Sequence, residues 1–128
     1  MLRGIGGWLL AGGAVLMAHG AQGASLSVSL KNFYTEYEVV KQCLAQSQLP
    51  PDDAATAKAA ITKIELHYLQ RDAKINTDRL RKEAVANKDR GFQMVTATRK
   101  VDLRQYCRVS LNELLTKAKE LEASAKSQ

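Results

Sequence analysis

Cys43 and Cys107 have the most definite chemistry of any residues in this chain. Neither has a second cysteine or a histidine close by, so the spacing fits no zinc or haem motif. In an oxidising compartment an even count of cysteines reads as a disulfide, and two cysteines allow one internal pairing. Closing a loop of this length adds about 4 kcal/mol on the chain-entropy account. Two inert buried thiols, or bonds to a partner, are the alternatives.

The other reactive side chains form no constellation. His67 could act as a general base or a pH sensor, but it lies between Leu66 and Tyr68 at the edge of an apolar stripe, with no partner motif. A structural role is expected. No serine stands in a nucleophile elbow. The pairs Glu36/Glu38 and Asp52/Asp53 are two and one residues apart and share no helix face. Asp72, Asn76, Asp78 and Glu83 faintly suggest a calcium loop. That loop wants an oxygen ligand third and glycine sixth, and Lys74 and Thr77 stand there. The sequence therefore predicts no catalytic residue, no metal site and no cofactor, and hence a protein that is not an enzyme.

Charge is the remaining feature. The chain has 128 residues, 19 basic and 13 acidic, for a net charge of +6. Residues 71–108 hold eleven basic against five acidic residues, while the flanking stretches are close to balance. Arg79, Arg81, Lys82, Lys88, Arg90, Arg99, Lys100, Arg104 and Arg108 make up the expected basic binding face. Such a face attracts an acidic protein, anionic lipid or another polyanion. The competing expectation is a solvated surface that keeps the domain soluble. Nucleic acid is not expected, because no stacking aromatics interleave with the basic residues.

The elements that carry these residues follow from patterning. Arg3 precedes an uncharged Leu-, Ala- and Gly-rich stretch, which gives way to the small residues Gly20, Ala21, Gly23 and Ala24. This is the layout of a secretion signal. It predicts a signal peptide over 1–24, cleaved after Gly23 or Ala24, and a single domain over 25–128. The many glycines disfavour a permanent membrane anchor. Beyond the signal, Gly91 is the only glycine, and Pro50 and Pro51 are the only prolines. A sandwich or barrel needs more turn residues than that.

The expected fold is all-α: a small four-helix bundle with helices at about 30–47, 52–71, 77–97 and 102–123. Phe33, Tyr37, Val40 and Leu44 mark one face of the first helix, with Cys43 beside it. The segment 48–51 closes that helix at its prolines. Asp52 or Asp53 caps the second, whose stripe is Ala57, Ile61, Ile64 and Tyr68. Asn76 or Thr77 caps the third, with Ile75 stapled on Leu80. The third helix either ends at Gly91 or runs through it to about Thr98. Asp102 caps the fourth, along which Leu103, Cys107, Leu111, Leu114, Ala118 and Leu121 form a core stripe. Residues 25–29 and 124–128 are expected to fray.

These features predict a periplasmic or secreted helical protein that binds another envelope protein with an acidic surface, as assembly factor, inhibitor or chaperone. A structural or polyanion-binding module using segment 71–108 is the alternative.

Overall fold

The structure is a computed structural model and describes residues 25–98 and 100–126. The expected signal peptide, Arg99 and the last two residues lie outside these. The described chain is an all-α four-helix bundle. Helix α1 covers 25–45, α2 Asp53–Arg71, α3 Thr77–Ala97 and α4 Leu103–Lys126. Among the described residues no helix is long and apolar enough to cross a membrane.

Pairs of touching residues give the directions. Cys43 meets Cys107, Glu36 meets Ser110 and Lys117 sits over Phe33, so α1 and α4 run antiparallel. Lys63 of α2 pairs with Glu122 of α4, and Ala60 lies beside Ala118, so α2 and α4 run the same way. Helix α3 reaches α1 through Lys31–Glu83 and α4 through Phe92 against Tyr106.

The core joins all four helices. On α2 the buried residues are Ala57, Ala60, Ile61, Ile64 and Tyr68, which is the stripe expected from period 3.6. On α4, Cys107, Leu111, Leu114 and Ala118 are buried, with Leu103 and Leu121 at the two ends. On α1 the expected face is displaced. Leu30, Tyr34, Val39, Val40 and Cys43 are buried, while Phe33, Tyr37 and Leu44 flank them. This helix touches three neighbours, so its buried arc is wider than one stripe, and Cys43 lies inside it.

Both ends of the described bundle are more helical than expected. Leu26 and Leu30, one turn apart, pack on the core and hold 25–29 in the helix. At the other end Ala123 to Lys126 contain no breaker, so α4 continues three residues past 123.

Helix α1 closes before the prolines rather than at them. Ser47 takes a left-handed conformation at φ 58°. The Gln48 N–H donates to the Cys43 carbonyl at 2.8 Å, and the Ser47 N–H to the Leu44 carbonyl at 3.1 Å. This is the Schellman arrangement with serine where glycine is usual. Nor does Asp52 cap α2 through its side chain. The carbonyls of Pro50 and Pro51 take the first amides, from Asp53 at 3.0 Å and Ala54 at 3.1 Å. With its fixed φ, each proline begins a helical turn instead of breaking one. Asn76 does cap α3, accepting from the Arg79 N–H at 3.1 Å, and Ile75 and Leu80 are both buried. Asp102 Oδ1 accepts from the Arg104 N–H at 3.0 Å.

Helix α3 continues through Gly91. A side chain is excluded there by packing, because a Cβ would stand 2.6 Å from the Tyr106 hydroxyl oxygen. Tyr106 is held by an edge-to-face contact with Phe92 at 5.6 Å. Gly91→Ala should therefore lower stability, since Tyr106 must move off Phe92. In a Tyr106→Phe background the nearest remaining ring atom is 3.8 Å away. The same change should then stabilise by about 0.5–1 kcal/mol, the usual gain of Ala over Gly inside a helix. Urea unfolding of the four variants checks the reversal of sign.

Candidate binding surface

Of the nine basic residues expected to form one face, the eight that are described are spread along α3 and the start of α4. Arg79, Lys82 and Arg90 point to solvent on α3. Arg81, also exposed, is engaged across the surface: its guanidinium meets Glu65 Oε2 at 2.5 Å and lies over the Tyr34 ring at 5.2 Å. Lys88 pairs with Asp89 at 2.7 Å, and Arg90 bonds Asn87. Lys100 is exposed in the α3–α4 connection. Arg104 and Arg108 stand one turn apart at the start of α4. The 21 residues of α3 span about 30 Å, so Arg79 and Arg104 sit at opposite ends of the bundle. Physiological salt screens charges over ~8 Å, so the two groups act independently.

Arg104 and Arg108 line a groove of about 360 Å³ with Leu44, Ser47, Gln48, Leu49, Pro50 and Pro51. The local sequence builds it. The Schellman turn reverses the chain after α1, buried Leu49 anchors the segment, and the two prolines form a stiff wall. The Cys43–Cys107 disulfide, with Cα atoms 5.9 Å apart, holds that wall against α4. The cysteines adjoin Leu44 and Arg108, so the bond fixes both sides of the groove.

The placement of the two arginines is unfavourable in isolation. Like charges at i and i+4 repel. Arg104 also lies in the first turn of α4, where the helix end disfavours a cation, although the Asp102 carboxylate at the Arg104 N–H offsets part of that cost. The groove lining contains no carboxylate, and neither arginine forms an ion pair among the described residues. An anion there would relieve all of these costs.

A second groove, of about 400 Å³, follows along the same flank of α4 where it meets α2. Its lining includes Ala59, Ala60, Lys63, Leu115, Lys119 and Glu122. Lys63 is neutralised by Glu122, whereas Lys119 forms no ion pair among the described residues. Lys63 and Lys119 come from stretches whose charges balance along the chain, so a sequence count could not single them out. The signal was available in the spacing of α4, where Arg104, Arg108, Leu115 and Lys119 recur at intervals of four, seven and four.

The remaining polar groups are engaged in structure. A cleft of about 330 Å³ beside Tyr34, Glu65 and Arg81 is crossed by their mutual contacts. The Tyr34 hydroxyl donates to Glu65 Oε2 at 2.7 Å. Burial, then that hydrogen bond, raises its pKa and keeps it protonated. His67 packs edge-on to Tyr68 at 5.5 Å. Burial lowers its pKa, assisted by Arg71 and Lys117. Among the described residues no group of His, Cys, Asp or Glu is arranged to hold a metal ion.

Glu36 is a carboxylate forced toward its neutral form. Burial raises its pKa and Glu113 adds to this, against a hydrogen bond from Ser110 that opposes it. A carboxyl whose folded pKa is raised stabilises the fold while protonated. That contribution is lost as pH rises from the ordinary carboxylate value through the raised one. Glu36→Gln, which can still accept from Ser110, should therefore be more stable than the unsubstituted protein at neutral pH and equal to it in acid. Thermal unfolding across that range checks this.

No protein-family model, curated protein or solved structure matches the chain.

Proposed function

We propose that this is an exported, non-catalytic helical protein that binds an acidic surface of another envelope protein, serving as an assembly factor, inhibitor or chaperone. The observation that carries the reading is the pair Arg104 and Arg108. They stand one turn apart as like charges, lining a groove that no carboxylate lines. Two like charges one turn apart with no carboxylate in the groove lining leave both guanidinium groups open to an anionic partner. Export is supported by the expected signal peptide and by the formed disulfide, which persists in oxidising compartments. The division of the basic segment into two distant groups favours a defined acidic site over a polyanion track.

Affinity capture from envelope extract tests the reading, using the exported protein and two paired variants. Arg104→Glu with Arg108→Glu should lose a stoichiometric partner, and Arg79→Glu with Lys82→Glu should keep it. If both pairs lose it equally, binding follows net charge and the groove has no special role.

A further inference from the structure

We propose that the seam between α2 and α4 docks an acidic amphipathic helix of the partner, laid lengthwise from Arg104 to Lys119; this deepens the reading above and rests on it. The two grooves follow one another on a single flank of α4, from the proline wall to Glu122. From Arg104 to Lys119 the seam measures about 22 Å, the length of a helix of roughly four turns. Its floor is apolar and low: Ala59 and Ala60 on α2, Leu115 and Ala118 on α4. Small residues at a helix seam let a third backbone come close. An apolar stripe laid into such a channel is a recurrent mode of peptide recognition.

Charge selects the occupant. The cations without an ion pair along the seam are Arg104 and Arg108 at one end and Lys119 at the other. The one carboxylate in the lining of the two grooves, Glu122, is already taken by Lys63, and Asp102 at the Arg104 end accepts from the helix backbone. An acidic helix therefore matches the seam, and a basic one is repelled.

Two synthetic peptides of about 18 residues test this, both made of the same Glu, Leu, Ala and Gln residues. In one, the leucines recur at i, i+4, i+7 and i+11. In the other, the order places no two leucines on one helix face. Fluorescence anisotropy with the full exported protein should show the first binding at least tenfold tighter, with a gain of helical circular dichroism. Ala59→Gln, an exposed change that raises the floor, should remove that preference and leave the melting temperature unchanged. Equal binding of both peptides, or no effect of Ala59→Gln, would overturn the helical mode while leaving the acidic-partner reading intact. Binding of neither peptide, together with loss of capture by no variant, would sink both. Should the protein sediment as a dimer that Ala59→Gln splits, the seam is covered by a second copy and the proposal fails.

Discussion

Replacing Cys43 and Cys107 together by alanine is expected to cost the domain about 4 kcal/mol. The bond joins residues 64 apart in sequence, and removing it restores to the unfolded chain the entropy lost on closing that loop. A domain of this size has a total stability of about 5–15 kcal/mol, so a large fraction is at stake. The core offers little in reserve. Its alanines at 57, 60, 84 and 118 bury little surface each, although they allow close helix approach. Both sulfurs are fully buried in the oxidised protein. Urea unfolding should show a lower midpoint with the helical spectrum retained before the transition. A loss below about 1 kcal/mol would mean that packing alone carries the bundle. Binding should weaken in the same variant, because the bond also holds the proline wall against Arg108.

The second large effect is on recognition. Arg104→Glu with Arg108→Glu is expected to weaken binding of an acidic ligand on the order of 100-fold. Each charge-assisted contact is worth about 1.5 kcal/mol or more, and each tenfold change in affinity corresponds to about 1.4 kcal/mol. Stability should hardly fall, since both side chains are exposed. The net change should stay within about 0.5 kcal/mol, because a glutamate at 104 suits the first turn of the helix while one like-charge pair replaces another at i and i+4. A variant that binds more weakly while folding equally well separates a recognition role from a structural one. Salt sharpens the test: raising ionic strength should slow association with the unsubstituted protein far more than with the variant.

The sequence made the bundle legible wherever one period decided the outcome. The stripe Ala57–Ile61–Ile64–Tyr68 and the stripe Leu103–Cys107–Leu111–Leu114–Ala118–Leu121 both lie on or at the margins of the core. Helix α1 was harder to read, because three neighbours bury an arc that no single stripe describes. The Schellman turn at Ser47 was hidden because serine there gives no glycine signal. The role of Gly91 depends on Tyr106, fifteen residues further on in another helix, and local pattern does not report such a contact. The disulfide pairing followed from counting alone. The basic segment misled in a different way. Charge density along a chain does not fix where side chains point. Arg81 is paired with Glu65 at the surface, and Lys63 and Lys119 joined the seam from charge-balanced stretches.

The most direct test of the account is the affinity of the acidic helical peptide for three forms of the exported protein, measured side by side by fluorescence anisotropy at physiological salt. The account predicts a loss on the order of 100-fold for Arg104→Glu with Arg108→Glu, and less than threefold for Arg79→Glu with Lys82→Glu at the far end of α3. Equal losses in the two variants, which change net charge by the same amount, would contradict it and return the basic residues to a general surface charge.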